Sequence, residues 1–439
     1  QHRARTIVAS VIAAMLVFSG TAAAATWLDV NGIIKNHSVE LIGQGSLDAN
    51  TSIIDPNSGK PIEFVLIGQD SRDGEENQSV GGNFDDVVGN HQADTTMVAQ
   101  ISADRTKINL VSIPRDSLVD VPQCETTNGT IPAQYNVMFN SIFANAYQTG
   151  GDLASAASCT LNAVNSLTGL NIQNFIVVDF AGLVKMINAV GGVDLCIPQD
   201  VDDPYTSLQL TKGLHHLDGY QATQYARTRH GLGDGSDTSR TTRQQSLIKQ
   251  LMNEALSKNL FTDTAQLYQL AKSALQSLYI SQGMADTAAL AGLAMSLKDF
   301  NLSNLYSQTV PVVSAPSDPN RSVWADEAET LWEKMRMDKP IYGSDESDTN
   351  TDADSAGNAG DSTDNSTEGT DNTGSQEAAP TPDPVTGLIT QADGTLIDPN
   401  TGGTVDPEDG SIHDALTGQY IGLADRYLNA TVCAVPAKN

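Results

Sequence analysis

Residues 174–198 read NFIVVDFAGLVKMINAVGGVDLCIP. The run from Phe175 to Val178 is apolar and largely β-branched, the length of a buried strand and too short for a helix. From Ala181 the apolar residues fall at helical spacing, Gly191 and Gly192 close that helix, and VDLCIP reads as another strand. A strand, a helix and a strand in direct succession point to an α/β arrangement.

The alternation continues on both sides. EFVLIGQDSRDG is a buried strand running into a polar loop, and TTMVAQIS and KINLVSIP are two more strands joined by a turn at Ala103-Asp104-Arg105. NSIFANAYQTGG and ASAASCTLNAVNSLTGL have helical spacing, the second stopping at Gly169. In TTRQQSLIKQLMNEALSKNL, residues Leu247, Ile248, Leu251, Met252, Ala255 and Leu256 share one helical face, with Thr238 or Ser239 as cap. More helices follow to about Phe300, and SNLYSQTVPVV closes the region as a strand. The expected fold class is α/β, an α-β-α sandwich with a mixed central sheet.

This region occupies residues 61–340, and the flanks differ from it. Residues 1–28 run from Arg3 and Arg5 into a nearly uncharged stretch, Thr6 to Thr26, of the length that spans a bilayer. A transmembrane anchor is expected there, with the rest of the chain outside; a cleaved signal peptide and a buried helix are the alternatives. Residues 29–60 are polar and Gly-rich, as in a stalk. Residues 341–384 lack Lys and Arg between Gly343 and Asp383 and are dominated by Asp, Ser, Thr, Asn and Gly, the composition of a disordered acidic linker. Residues 385–439 belong to a small loop- or hairpin-rich segment, in which DPVTGLI, DPNTGGT and DALTGQY form a short repeat. The four cysteines, Cys124, Cys159, Cys196 and Cys433, contain no CxxC and suggest two disulfides. Three pairings are open, with a partner for Cys433 expected in the globular region.

A formal charge of -29 excludes nucleic acid and anionic surfaces as general partners. Against that background YARTRHGLGDGSDTSRTTRQQ gathers Arg227, Arg229, Arg240 and Arg243 within seventeen residues. On an extended backbone Arg227 and Arg229 face one side. Arg240, Arg243 and Gln244 lie at a helix N-terminus, where free N–H groups already favour an anion. Each charge-assisted hydrogen bond to a phosphate contributes about 1.5 to 3 kcal/mol. Exposed pairs with Asp234 and Asp237 would contribute only about 0 to 1 kcal/mol. The cluster therefore reads as a phosphate site. Asp70 at one strand end and Asp94 at the start of the next are candidate Mg²⁺ ligands. Arg115 follows Pro114 at the mouth of a strand, beside Asp116.

FVLIGQDSR, ADTTMV, SIPRDS, FN-x5-AYQTGG, LTGLNIQNFIVVDFAGLVKMINAVGGV, GLHHLDGYQATQYARTRH and DxxRxxRQQ occur in this order. Together they resemble the LytR-CpsA-Psr family over roughly residues 60 to 300, and the cysteine-bearing segments resemble its actinobacterial branch. The resemblance implies a membrane-anchored phosphotransferase with an extracellular catalytic domain, as in a Gram-positive cell. Its reaction would move an undecaprenyl-pyrophosphate-linked glycopolymer onto peptidoglycan and release undecaprenyl phosphate. It further implies that Asp70 and Asp94 hold Mg²⁺ and that Arg115, Arg227, Arg229, Arg240, Arg243 and Gln244 bind the pyrophosphate. Arg72 is a further candidate, and Asp116 supports Arg115. Members commonly carry Arg two residues before the second Asp, where this chain has Gln92. Two other readings are a polyprenyl-pyrophosphate-binding or regulatory protein without turnover, and a pyrophosphatase acting on the same lipid.

Overall fold

The computed structural model describes residues 27–45, 47–48, 53–70, 77, 91–229, 232, 235–257, 264–342 and 381–434. The expected anchor at Thr6 to Thr26, the acidic linker between 343 and 380, and Arg72 lie outside the described residues. Among the described residues no helix is long and apolar enough to cross a membrane.

Seven strands form the central sheet: β1 (Ser38–Val39), β2 (Ile62–Asp70), β3 (Gln92–Ile101), β4 (Ile108–Ile113), β5 (Phe175–Asp179), β6 (Leu278–Ser281) and β7 (Leu305–Thr309). Their spatial order is β1-β6-β5-β2-β3-β4-β7. The pairs β1–β6, β5–β2 and β4–β7 are parallel, and β6–β5, β2–β3 and β3–β4 are antiparallel, so the sheet is mixed.

Period-two alternation gives the sheet two apolar faces. One face carries Val65, Ile67, Val111 and Phe175, covered by α1 (Phe139–Gly150), α2 (Leu153–Thr168) and, from the far end of the region, a helix at Glu327–Arg336 that inserts Trp332. The opposite face carries Met97, Ala99, Leu110 and Leu305. Over it lie α3 (Phe180–Ala189), α4 (Gly219–Arg227) and α5 (Asp237–Ser257), with Ile248 and Met252 of α5 packed on the apolar cluster. Helices on both faces make the expected sandwich; each fully buried large apolar side chain in it contributes about 1.5 to 3 kcal/mol. Asp152 caps α2 by accepting from the Ser155 N–H at 2.8 Å, and Asp179 caps α3 by accepting from the Gly182 N–H at 2.7 Å. At Gly219 an added Cβ would lie 2.2 Å from the Val184 carbonyl oxygen, so only glycine lets α4 begin against α3.

Several local expectations are corrected. VDLCIP is a strand, Val193–Ile197, but it pairs antiparallel with Gly213–Leu217 outside the central sheet. The left-handed Gly191 (φ 86°) and Gly192 (φ 96°) turn the chain away from the sheet. Within the region read as helices, LYIS forms β6, too short to show a period. The segment read as a stalk contributes β1 to the sheet edge, and Ile34 just before it is buried against Ile280 and Met284. The cap of α5 is Ser236, whose Oγ accepts from the Ser239 N–H at 3.1 Å; Thr238 and Ser239 lie inside the helix.

The carboxy-terminal segment is a five-stranded antiparallel meander between Ile389 and Leu423, followed by a short helix, Asp425–Thr431. Its repeat is a turn. Asp383, Asp398 and Asp414 each accept from the N–H and hydroxyl of the Thr three residues on, and Gly387, Gly402 and Gly418 follow at φ 77°, 71° and 69°. This cap docks behind α5, where Lys249 Nζ lies 2.7 Å from Asp425 Oδ2. Gln419 accepts from the Val312 N–H at 2.6 Å and donates to the Val310 carbonyl at 3.0 Å. The disulfides are Cys124–Cys159 and Cys196–Cys433, the second tying the cap to the Val193–Ile197 strand.

Candidate functional site

The site begins at an irregularity in the sheet. Gly68 pairs with Thr95, but Gln69 pairs with Ala93 and Asp70 with Gln92, leaving Asp94 as the extra residue of a β-bulge. A bulge re-aims its side chain. The Asp94 carboxylate turns toward the end of β4, where Arg115 Nη1 donates to its Oδ1 at 2.5 Å. From α5, Arg240 Nη2 donates to the Asp94 backbone carbonyl at 2.7 Å, and Arg240 Nη1 lies 3.6 Å from Asp94 Oδ2.

Asp237, the first residue of α5, is the second anion of this network. Its Oδ1 accepts from Arg240 Nη2 at 2.6 Å and from Arg229 Nη2 at 2.9 Å, and lies 3.5 Å from Arg115 Nε. Its Oδ2 accepts from the Arg115 backbone N–H at 3.0 Å. The side chain is only 5% exposed, so the expectation of an exposed and nearly neutral ion pair is wrong for Asp237. Arg227 does not share an extended strand with Arg229. It ends α4, which a capping box between Asp218 and Gln221 starts, and its guanidinium carbon stacks 4.1 Å from the centroid of the Phe180 ring.

Burial works to raise the Asp94 carboxyl, but Arg240 and Arg115 outweigh it and hold the group below the usual carboxylate range. Arg115 responds in the opposite sense: burial works to lower it, while Asp94 and Asp237 raise it. Arg229 is lowered to about 10, first by burial and then by repulsion from Arg240 and Arg115. Burial, followed by repulsion from Asp237, raises Asp116.

These cations rim a cavity of about 400 Å³ between the sheet face and helices α3, α4 and α5. Arg115, Arg227, Arg229 and Arg240 line it together with Asp94 and Gln244, while Leu66, Met97, Phe180, Leu183, Leu247 and Leu251 supply apolar wall. Gly68 lines it too, at a point where an added Cβ would meet the Thr95 side chain at 2.9 Å. One predicted arginine is placed elsewhere. Arg243 donates through Nη1 to Ser239 Oγ at 2.7 Å and through Nη2 to the Thr228 carbonyl, and it lines a separate pocket against the cap with Asp409, Ser411 and Tyr420. It does not line the arginine cavity. Gln244 Nε2 lies 3.4 Å from the Ala226 carbonyl, to which it donates.

Asp70 ends β2 directly across from Gln92, half-buried, and does not line the cavity, although Gln69 beside it does. Among the described residues no group of three or more His, Cys, Asp or Glu side chains gathers as a metal centre. Asp70 pairs with Gln92, two residues before Asp94 on the neighbouring strand, and carboxylates are the ligand type Mg²⁺ takes alongside phosphate oxygens and waters. The sequence reading undervalued Asp237, taken only as an exposed pair partner, and missed the contact made by Phe180. Asp237 stands at the start of an arginine-bearing helix, a visible signal, whereas the approach of Phe180 to Arg227 is purely tertiary.

The family model described as the LytR_cpsA_psr family matches residues 31–337. The "Cell wall biosynthesis protein LcpA" of Corynebacterium glutamicum is 28% identical over 324 residues, covering 71% of this chain and 60% of that protein. The "Polyisoprenyl-teichoic acid--peptidoglycan teichoic acid transferase TagU" of Enterococcus faecalis is 27% identical over 208 residues, covering 47% of this chain and 58% of that protein. The chain thus spans about 60% of the length of these curated relatives. A solved structure from Streptococcus agalactiae shares the fold, with a TM-score of 0.50 and 18% identity over 64% of this chain and 89% of that one. With the matched residues covering most of the chain, the protein belongs to the LytR-CpsA-Psr family.

Proposed function

We propose that this protein is a phosphotransferase that moves a polyprenyl-pyrophosphate-linked glycopolymer onto peptidoglycan. The observation that carries this reading is the cavity itself: four guanidinium groups at the rim of an apolar recess, three of them held by two carboxylates from distant parts of the chain. An anionic headgroup with a greasy tail matches both parts. The family membership and the names of the relatives support the same class of reaction.

In this reading Arg115, Arg227, Arg229 and Arg240 bind and orient the diphosphate, and Gln244 borders it. Asp94 and Asp237 fix the guanidinium planes in advance, so little reorganisation accompanies charge development in the transition state. The Phe180 ring lies against the Arg227 guanidinium and limits where it can move. A sugar hydroxyl of the acceptor attacks the phosphorus that bears the glycan. The bond to the bridging oxygen breaks, its electron pair leaves with polyprenyl phosphate, and the hydroxyl proton passes to solvent. Asp94, already held as a carboxylate by Arg240 and Arg115, positions cations and is a poor proton acceptor.

Charge favours a divalent cation as well. The four wall arginines face Asp94, Asp179 and Asp203 in the wall and Asp237 behind it, a balanced set before any diphosphate enters. Asp70 and Asp94 would hold Mg²⁺, which supplies neutralisation of phosphate oxygens when bound. The apolar stretch Thr6 to Thr26 would anchor the chain with this domain outside the membrane. A carrier that binds the lipid without turnover is the second reading, favoured by Gln92, a neutral amide across from Asp70.

The test is an assay with a short-chain prenyl-pyrophosphoryl glycan, Mg²⁺ and peptidoglycan, reading linked polymer and released prenyl phosphate. Arg115→Ala and Arg227→Ala are each expected to lower the rate by roughly 10²- to 10³-fold. Full activity in both variants refutes the assignment. Binding with no released prenyl phosphate selects the carrier reading.

A further inference from the structure

Two residues of the cavity wall, Asp203 and Thr223, each carry a buried polar atom that an isoprenoid cannot satisfy, and the Asp203 carboxylate cannot be satisfied by a diphosphate either. Asp203 lies in a small hairpin, Val201–Asp203 paired with Leu208–Leu210, and is completely buried. Its Oδ1 accepts from the Tyr205 N–H at 2.9 Å, but its Oδ2 has no hydrogen-bond partner among the described residues. Thr223 of α4 is also fully buried, and its Oγ1 likewise has no partner among the described residues. Both residues line the cavity. Neighbouring polar groups of the same wall are satisfied: Thr206 pairs with Thr228 at 3.1 Å, and Asp179 accepts from Gly182 and from Asn77. Buried polar atoms are nearly always hydrogen-bonded, so two orphans on residues that line one cavity point to a polar ligand group there, and the Asp203 oxygen to one that donates.

The chemistry of those atoms narrows the ligand. A carboxylate oxygen accepts only, and a threonine hydroxyl can accept as well. A diphosphate at neutral pH brings acceptors and negative charge, which Asp203 repels; an isoprenoid brings neither donor nor acceptor. A sugar ring presents hydroxyl and amide donors in quantity. Thr223 and Arg227 are four residues apart on α4, one helical turn, about 5 to 6 Å. A ring attached to a diphosphate held by Arg227 therefore comes level with Thr223. Tyr205, half-exposed on the same wall, extends this side of the cavity to the surface.

We propose that Asp203 and Thr223 form a sugar-recognition subsite beside the diphosphate, accepting hydrogen bonds from a pyranose ring. The proposal rests on the diphosphate reading above, and its chemistry suits either the glycan on the lipid or the acceptor glycan. The experiment is calorimetric titration of the full chain, as wild type, Asp203→Asn and Thr223→Val, with three probes: farnesyl pyrophosphate, farnesyl pyrophosphoryl-N-acetylglucosamine and a soluble peptidoglycan disaccharide. Asp203→Asn replaces an accepting oxygen with a donating amide and is expected to weaken a sugar-bearing probe roughly 10- to 100-fold. Thr223→Val is expected to weaken it roughly 2- to 10-fold, whereas farnesyl pyrophosphate is expected to bind neither variant more weakly than wild type. Loss confined to the lipid-linked sugar assigns the subsite to the donor glycan, and loss confined to the disaccharide assigns it to the acceptor. Equal loss on every probe, or no loss on any, overturns the proposal. If wild type does not bind farnesyl pyrophosphate, the diphosphate reading fails, and disaccharide binding that depends on Asp203 decides the subsite by itself, its absence overturning it.

Discussion

Asp237 shows how much a single side chain can organise. It contacts Arg115, Arg229 and Arg240 while nearly buried, so removing it leaves three guanidinium groups without their shared anion. Asp237→Ala is expected to cost about 3 to 5 kcal/mol of stability, measured by urea denaturation. Asp116 behaves differently. Burial and Asp237 raise its folded pKa, so its charging is disfavoured in the fold, and stability falls as pH rises from the ordinary carboxylate value through the raised one. Asp94 has the opposite sign: its lowered pKa contributes stability above the ordinary value that is lost as pH falls through the lowered one. Asp116→Asn should therefore raise the Tm at pH 7 more than at pH 4, and a melting series across that range checks it. The arginines at 227, 229 and 240 were legible because scarce cations clustered in an acidic chain. Asp237 was undervalued because its burial depends on Arg115, 122 residues away, which no local pattern displays.

Among elements, long periodic segments read well and short ones poorly. The helices ending at Gly150 and Thr168 and the strands β2 to β5 follow directly from apolar spacing and terminal glycines. β6 has four residues and β1 has two, too few for any period to emerge, and both owe their existence to pairing with a sheet already formed. The run YARTR looked extended, yet the Asp218–Gln221 capping box upstream was a readable helix start that carries α4 through Arg227. Arg243 was assigned to the site on its helical spacing from Arg240, but the 60° between them suffices to send one into the cavity and the other toward the cap. The start of α5 rests on Ser236, and Ser236→Ala is expected to cost about 1 kcal/mol, with a matching fall in Tm. If stability is unchanged, the capping role assigned to this hydroxyl is wrong.

For the whole molecule, the strongly negative surface makes the arginine cavity a local exception held in place by tertiary contacts. The sandwich and its mixed sheet were legible from strand and helix alternation. The cap's seat was only partly so, because docking through Gln419, Lys249 and Cys196 joins segments with no sequence proximity. Replacing Cys196 and Cys433 together with serine is expected to cost about 2 to 5 kcal/mol and to speed amide exchange in the meander first. Exchange that stays slow there would show that the noncovalent seat alone retains the cap.

The bridge between Cys196 and Cys433 also turns residues 196–433 into a covalent ring that contains Arg227, Arg229 and Arg240. A single cut anywhere inside this circuit opens it without parting the polypeptide. A protease would therefore have to cleave twice, or a reductant act first, before fragments could separate.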